Sequence, residues 1–352
     1  IITTRRLVPG QAGVSFPIGT ASKHGLILFD GNQDTHYTLQ FGQMLHSPST
    51  AAVNYKVYKP DNTVLMTGNV GYGYRPTIHL PKLPSTGTYS IMVSPGVATL
   101  SSIASIAADP VLAVDGPAAA IVLGSPSQSA RVAFEALANQ NISAGVTGLT
   151  LSGSTTGGTA FKVYKPDASP LSASNALYCT QASSSNPQGN CDGEFRTTVA
   201  GVHTMIAEPP MGYSASFGAQ LSSEVTGELS LDVAKDFALV RVGQDARFTF
   251  TASVGDSFAL DLAGVAPTPH PQNFGMSIHR PNGTLLTSAT ASPPLYGAQV
   301  QLGAISTAGT YAVTIDPAYG AHGTARLTLK QGPLLATSDP PSAFATSVTG
   351  ET

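Results

Sequence analysis

The feature of this sequence that most constrains its fold is a long internal repeat. The segment Lys56–Asp61 recurs as Lys162–Asp167, and a looser third copy covers Ser277–Thr284. The prolines of the three copies, Pro60, Pro166 and Pro281, lie 106 and 115 residues apart. Solenoid repeats are only about 20–50 residues long, so a period of this length indicates one complete small domain per copy. The sequence therefore predicts three domains in tandem.

Two further landmarks accompany each copy of the proline segment. One is a Gly-Thr-Tyr strand, present at Thr86–Ile91 and Ala308–Val313 and degraded to Gly-Val-His within Ala200–Met205. The other opens each copy with a short apolar run, which aligns without gaps at Gly25–Phe29, Ala130–Phe134 and Ala246–Phe250. Three landmarks in the same order support three copies of one fold.

The local patterns within each copy are those of β-strands. In the third copy, apolar and polar residues alternate through Arg247–Thr251, Phe258–Leu262, Tyr311–Ile315 and Ala325–Leu329. Side chains of a strand point alternately to opposite faces, so this period is typical of half-buried strands. Turn formers such as Pro281-Asn282-Gly283 separate the runs. The fold class predicted is all-β, with three tandem antiparallel β-sandwiches of jelly-roll or Ig-like winding.

The landmarks also set domain boundaries. We expect sandwiches at 20–113, 114–232 and 233–332, the second with an insertion pinned by a disulfide. Residues 333–352 are expected to be a C-terminal linker, and residues 1–19 an N-terminal extension or linker, or a strand lent to a neighbouring chain. The chain begins Ile-Ile-Thr-Thr, without an initiator Met or a visible signal peptide, which favours a trimmed piece of a longer product.

Composition limits the classes of partner. Charged residues make up 11% of the chain and the net charge is −3, which argues against a nucleic-acid-binding protein with its basic surface. No apolar run reaches the roughly 18 residues that a membrane span needs. Scarce charge, replaced by Gly, Ser, Thr and Ala, is typical of secreted and surface-exposed β-proteins.

Three motifs of the third copy resemble a known family. They are the turn Pro281–Thr284, the strand start Gly309–Tyr311 and the final strand Gly323–Leu329. Together they are similar to bacterial pre-peptidase C-terminal (PPC) β-sandwich modules, over about 95 residues in each copy. The resemblance implies tandem modules of a large secreted or surface protein, beside an extracellular hydrolase or upstream of the YD-repeat shell of an Rhs-type toxin. The second copy departs from the pattern in its Gly-Val-His strand and its Ser/Asn-rich insertion.

The two cysteines, Cys179 and Cys191, both lie in the insertion of the second copy. Their spacing does not fit a zinc site, which needs four ligands. A disulfide closing a loop of about 13 residues fits better and would stabilise the fold by about 3 kcal/mol. It favours an oxidising compartment. Two free thiols in a cytosolic protein are the alternative.

The first copy contains a candidate calcium site at Asp30, Asn32 and Asp34. Carboxylate and amide oxygens at alternate positions are ligands that Ca²⁺ prefers. The segment lacks the glycine and glutamate of an EF-hand loop at the corresponding positions, Thr35 and Phe41. The alternative interpretation is a polar hairpin turn.

Aromatic residues suggest a second candidate site. Tyr72, Tyr74 and Arg75 lie in a Gly-rich stretch of the first copy, and Tyr296 occupies the comparable stretch of the third. Exposed tyrosine rings beside glycine can form a platform on which a sugar ring or a partner side chain stacks. Tyrosines packed in the core or in loops are the alternative.

No catalytic motif is recognisable in the sequence. A Gly-x-Ser-x-Gly elbow, a His-Glu-x-x-His helix, a Walker loop and a dinucleotide fingerprint are all missing. We therefore expect no enzyme and no cofactor other than the candidate Ca²⁺. The expected function is a non-catalytic extracellular structural or adhesive segment, a stalk or an assembling surface or filament subunit of a bacterial protein. Its partners would be proteins, its own copies through strand edges, or surface polysaccharide. The alternatives are accessory substrate- or carbohydrate-binding modules of a secreted hydrolase, or the N-terminal region of an Rhs-type toxin.

Overall fold

The computed structural model describes residues 1–48, 52–70, 77–153, 157–172, 177–184 and 186–332. These residues form six β-sheets. The only helical element in these ranges is a single 3-10 turn, Ala318–Gly320. The chain divides into two compact units. Unit 1 holds Ile1–Glu224 with the segments Leu239–Asp245 and Pro317–His322, and unit 2 holds Val225–Ala238, Ala246–Asp316 and the chain from Gly323.

The first copy of the repeat, in unit 1, is a sandwich of two sheets. One sheet has the order β1 (Thr3–Leu7), β3 (Gly25–Gly31), β8 (Gly87–Ser94), β5 (Val53–Tyr58) and β6 (Val64–Val70). The other has the order β2 (Val14–Ser15), β9 (Thr99–Ala108), β4 (Tyr37–Ser47) and β7 (Thr77–His79). All pairs are antiparallel except β1 with β3. The core between the sheets includes Phe29, Tyr89, Leu39 and Ile106.

The second copy, also in unit 1, has two four-stranded sheets. One has the order β11 (Ala130–Ala136), β16 (Gly201–Glu208), β13 (Gly158–Tyr164) and β14 (Leu177–Thr180). The other has the order β10 (Ala119–Leu123), β17 (Ala215–Ser223), β12 (Asn141–Leu151) and β15 (Cys191–Arg196). Phe161 on β13 and Phe217 on β17 meet edge to face across the core, with ring centroids 5.3 Å apart.

The third copy forms unit 2 and repeats the arrangement of the first. Its five-stranded sheet has the order β18 (Val225–Glu228), β20 (Ala246–Ala252), β25 (Gly309–Pro317), β22 (Phe274–His279) and β23 (Leu285–Ala291). Its four-stranded sheet has the order β19 (Ala234–Leu239), β26 (His322–Gln331), β21 (Phe258–Thr268) and β24 (Ala298–Leu302). Phe250 and Phe258 meet across the core at 5.5 Å. The all-β sandwich prediction is confirmed.

The proline turn and the glycine strand recur together because they touch. The three landmark glycines, Gly87, Gly201 and Gly309, each have a positive φ, and a Cβ on any of them would lie close to Cγ of the turn proline. The distances are 2.8 Å for Gly87 to Pro60, 3.1 Å for Gly201 to Pro166 and 2.9 Å for Gly309 to Pro281. The next residue of each turn is Asp or Asn, and its side chain accepts hydrogen bonds from the amide and hydroxyl two residues on: Asp61 with Thr63, Asp167 with Ser169 and Asn282 with Thr284. These landmarks are structural.

The segment boundaries in the structure differ from those expected from the sequence. Within segment 1–19, β1 and β2 are strands of the first sandwich, so this segment is not a free linker. Residues Val225–Glu228, placed with the second copy by the sequence, pair in parallel with β20 and belong to unit 2. Both β1 and β18 precede the first landmark of their copy. A parallel pair is not joined by a tight turn, so no turn motif in the sequence predicts either pairing. The expected C-terminal linker, 333–352, lies outside the described residues.

Candidate functional site

A buried ion pair connects the first two copies within unit 1. Asp109 follows the end of β9 in the first copy, and Arg131 lies near the start of β11 in the second. Nε of Arg131 donates to Oδ2 of Asp109 at 2.5 Å, and the two side chains are 7% and 3% exposed. Nη2 of Arg131 also donates to the carbonyl oxygens of Leu80, at 2.6 Å, and Tyr37, at 3.1 Å. One guanidinium thus binds three separate elements of the first copy.

A chain of hydrogen bonds extends from the same aspartate. Thr38 on β4 donates its hydroxyl to Oδ1 of Asp109 at 2.5 Å. His79 on β7 contacts Thr38 through Nδ1 and Ser129 of the second copy through Nε2, both at 2.9 Å. The single hydroxyl proton of Thr38 goes to Asp109, so Thr38 accepts from the Nδ1–H of His79. In the neutral ring, Nε2 then accepts from Ser129.

This order of donors resembles that of a catalytic Ser-His-Asp triad, in which the histidine takes the proton of the serine hydroxyl. Three features oppose that chemistry. Asp109 is already ion-paired with Arg131. Ser129 is 3% exposed, and its amide donates to Oγ1 of Thr77 at 3.2 Å rather than being available for an oxyanion. The arrangement is better suited to fixing two domains than to attacking a substrate.

Desolvation dominates the electrostatics of this junction. Burial raises the pKa of Asp109 despite the opposing charge of Arg131, and burial lowers the pKa of Arg131 despite Asp109. Such a pair contributes geometry more than stability. His36, whose carbonyl oxygen accepts from the amide of Asp109 at 2.9 Å, has its pKa lowered to about 4 by burial, with the charges of Arg131 and Lys82 adding to the effect.

The disulfide joins the two sheets of the second sandwich. Cys179 lies on β14, the edge of one sheet, and Cys191 lies on β15, the edge of the other. Both residues are buried in the core of that sandwich. The predicted disulfide is confirmed, and it closes the sandwich along one side besides pinning the inserted loop.

Tyr296 is the member of the predicted aromatic platform that lies in the described part of the chain. Its hydroxyl is 2.9 Å from Nε2 of His270, and the two ring centroids are 5.4 Å apart. Pro269 and Pro271 flank His270, Pro293 and Pro294 precede Leu295 and Tyr296, and Leu295 is 88% exposed. Tyr296 has a φ of 45°, which is uncommon for a residue with a side chain. The structure therefore places two rings side by side on neighbouring loops of unit 2. Tyr72, Tyr74 and Arg75 lie outside the described residues.

Both carboxylates of the candidate calcium site are bonded to cationic side chains of this chain. Asp30 accepts two hydrogen bonds from Arg6, at 2.6 and 2.5 Å, and one from Thr88 at 2.6 Å. The Thr88 hydroxyl, followed by Arg6, lowers the pKa of Asp30. Asp34 forms an ion pair with Lys82 at 3.2 Å. Both carboxylates have cationic partners from this chain, and calcium binding here stays a prediction.

Sequence reasoning missed the junction residues, although one signal pointed to them. Gln128-Ser129-Ala130-Arg131 recurs as Gln244-Asp245-Ala246-Arg247. Both glutamines are buried, and each accepts a backbone N–H from the preceding loop: Gln128 from Ser125 at 3.1 Å and Gln244 from Val240 at 2.9 Å. The recurring Gln-x-Ala-Arg sequence thus lies at the start of the first long strand of the second and third copies, β11 and β20.

Comparisons with known proteins do not place the chain in a family. No protein-family model and no curated protein matches it. Among solved structures it is similar to tripeptidyl peptidase 2, with 9% identity over 84% of this chain and 34% of that one and a TM-score of 0.24. It is also similar to the triple jelly roll of an archaeal virus turret, with 13% identity over 93% of this chain and 86% of that one and a TM-score of 0.22. A tandem CBM22 domain of Paenibacillus barcinonensis Xyn10C aligns with 59% of this chain and 77% of its own length, with 11% identity and a TM-score of 0.21. Scores this low assign no function.

Proposed function

We propose that this chain is a non-catalytic structural segment of an extracellular protein, serving as a stalk or as an assembling surface subunit. The observation that carries the proposal is the buried junction between the first two copies. A flexible string of domains needs exposed, polar linkers. Here the residue that follows β9 is Asp109, which is buried and bonded to Arg131 and Thr38. The connection therefore favours a fixed spacing of the two sandwiches.

The extracellular part of the proposal is supported by the disulfide between Cys179 and Cys191, because disulfides persist mainly in oxidising compartments. No helix among the described residues has the length and apolar character to cross a membrane. The resemblance to PPC modules agrees with a secreted or surface protein and stays a prediction.

Distance measurements between spin labels test the fixed spacing. Labels at Val64 in the first copy and Leu137 in the second, which are 49% and 71% exposed, report on unit 1 in the full chain. We expect one narrow distance distribution, broadened by Arg131→Gln. A broad distribution in the unsubstituted protein would contradict a stalk of fixed geometry.

A fluorophosphonate probe tests the absence of serine catalysis at the junction. We expect no labelling of Ser129 in the folded chain, because its hydroxyl is buried and its amide is engaged by Thr77. Labelling that is abolished by both Ser129→Ala and His79→Gln would show a working nucleophile and overturn the non-catalytic assignment.

Polysaccharide binding by unit 2 is a second candidate function, favoured by the paired rings of Tyr296 and His270. Aromatic rings held side by side on a surface offer stacking area for a sugar. Affinity electrophoresis in gels containing soluble polysaccharides would show retardation that Tyr296→Ala and His270→Ala each abolish. Tyr178→Ala, at a tyrosine that is 59% exposed on unit 1, is the matched control. Equal mobility with and without polysaccharide would exclude this candidate for the glycans used.

A further inference from the structure

The edge strand β10 is unprotected against pairing with another strand. Its sequence is Ala-Ala-Ile-Val-Leu, with no charge, proline or bulge, and among the described residues it pairs only with β17. Val122, the fourth of its five residues, is 74% exposed. Natural sheets usually guard such edges with charges, prolines, bulges or very short strands, because open backbone groups accept additional strands.

The equivalent edges of the other two copies are guarded. In the first copy, β2 has only two residues, and Arg5 donates to the carbonyl oxygen of Ser15 at 2.8 Å, which covers the open side. In the third copy, β19 carries Lys235 and Asp236, and Asp236 is ion-paired with Arg326 at 2.6 Å. The three copies share this edge position. Among the described residues, only the strand of the second copy has neither a charged side chain nor a two-residue length to prevent further pairing.

Other edges of unit 1 have their own protection. A bulge interrupts the pairing of β6, and β7 is three residues long. The disulfide fixes β14, and β15 carries charged residues. On β11, Ala133 is bridged by Val111.

A groove of about 290 Å³ borders β10. Two runs of consecutive residues, Ala120–Leu123 and Ser105–Pro110, contribute to its lining. The junction residues Thr38, Ser129 and Arg131 also contribute to its lining. Polar atoms of these three residues are bonded within the junction.

We propose that this edge binds residues Ala343–Thr349 of a second copy of the chain as an added strand. The segment reads Ala-Phe-Ala-Thr-Ser-Val-Thr, which alternates Phe344, Thr346 and Val348 with small residues, as a strand does. No charged residue lies between Asp339 and Glu351, so the segment matches the uncharged edge. It is bounded by Pro341 and Gly350, which are typical strand limits.

The chain between the last described residue and the proposed strand limits how far that strand can reach. Eleven residue steps separate Gly332, where the described chain ends, from Ala343, and they span at most about 35–40 Å when extended. A tail that enters the groove of the next copy leaves its own groove open, so the contact is heterologous and continues into a linear assembly. A second copy of the chain is then the partner in the proposed structural role, on which this inference rests. It is tested separately from that role, because the spacing within unit 1 does not depend on self-association.

Sedimentation velocity of the full chain between about 1 and 200 µM tests the proposal. We expect the mean mass of the unsubstituted protein to rise with concentration. Val122→Lys places a charge on the edge, and Phe344→Asp places one on the tail; each raises the concentration needed for association at least tenfold. Val254→Lys, at a valine that is 67% exposed in a turn of unit 2, associates like the unsubstituted chain. Circular dichroism confirms that all variants are folded.

Mixing the two deficient variants identifies the contact. Val122→Lys retains an intact tail and Phe344→Asp an intact groove, so an equimolar mixture forms dimers that cannot extend further. A mixture that stays monomeric, or association of Phe344→Asp equal to that of the unsubstituted chain, would overturn the proposal and favour direct pairing of two β10 edges. A monomer at every concentration would also overturn it.

Discussion

A ring stack recurs in the core of all three copies and differs in one residue. Phe29 stacks on Tyr89, Phe250 on Tyr311 and Phe134 on His203, with centroids 5.4–5.5 Å apart. Each tyrosine hydroxyl donates to the carbonyl oxygen four residues earlier, at 2.7 Å to Ser85 and 2.8 Å to Thr307. His203 is fully buried and has no hydroxyl, and its Nε2 has no hydrogen-bond partner among the described residues.

This comparison predicts opposite effects of substitutions at equivalent positions. Tyr89→Phe and Tyr311→Phe each lower the free energy of unfolding by about 1 kcal/mol, because each leaves a carbonyl without its donor. His203→Tyr raises it by about 1 kcal/mol by supplying a hydroxyl to the carbonyl of Val199. Denaturation in urea measures all three, with Tyr178→Phe as the exposed control. A loss of stability in His203→Tyr would show that this core has adapted to the smaller ring.

The ion pair at the junction predicts a non-additive pair of substitutions. Arg131→Met leaves Asp109 buried without a countercharge and lowers the free energy of unfolding by about 3–5 kcal/mol. The double variant Asp109→Leu/Arg131→Met recovers most of this loss, because the cost of desolvating both charges disappears with them. Urea denaturation of the single and double variants provides the comparison. A double variant no more stable than Arg131→Met would show that the pair itself is strongly stabilising.

Burial of His36 predicts a stability change in mildly acidic solution. Its pKa is about 4 in the folded chain, against 6.5 for an unperturbed histidine. The unfolded chain therefore takes up this proton first, so stability is full above pH 6.5 and falls as the pH is lowered towards 4. His36→Gln flattens the decline of the melting temperature in this window. The lowered pKa values of Asp30, Asp61, Asp167 and Asp236 act below it, since each starts from 3.8. An unchanged profile in His36→Gln would assign the decline to other groups.

At the scale of elements, the contact between the proline turn and the glycine strand predicts which glycines are irreplaceable. Gly87→Ala lowers the free energy of unfolding by more than about 1 kcal/mol, because φ is +154° and Pro60 occupies the space of the new methyl group. Gly19→Ala, whose added methyl group would have no atom within 4 Å, changes it by less than about 0.5 kcal/mol. Thermal unfolding distinguishes the two. Equal effects would show that the landmark glycine is not held by the proline.

The same contact explains why the sandwiches were predictable from the sequence. Pro60 and Gly87, and Pro281 and Gly309, recur because each pair forms one local packing unit, and alternation within strands such as Arg247–Thr251 follows from the faces of a sheet. The parallel strands β1 and β18 were not predictable in this way. Their partners are set by tertiary pairing, and Val225-Thr226-Gly227-Glu228 lacks a run of core residues.

At the scale of the whole molecule, most of the junction was not predictable, because its members are scattered along the chain and the recurring Gln-x-Ala-Arg sequence marks only Arg131. Thr38, His79, Asp109 and Arg131 share no spacing, and only the fold of unit 1 brings them together. The disulfide was predictable because two cysteines in one chain leave a single pairing. Its position across two sheets was not, since the sequence marks only an inserted loop.

The position of that disulfide has a consequence for a chain cut by a protease. Residues Ala182–Ser184 are exposed, and they lie between Cys179 and Cys191. A cleavage there severs the backbone but leaves the two fragments covalently joined, with each cysteine still anchored in its own sheet. The nicked protein therefore keeps the size of the intact chain until a reductant releases the halves. This bond would therefore keep the second sandwich covalently joined after a cleavage in that loop.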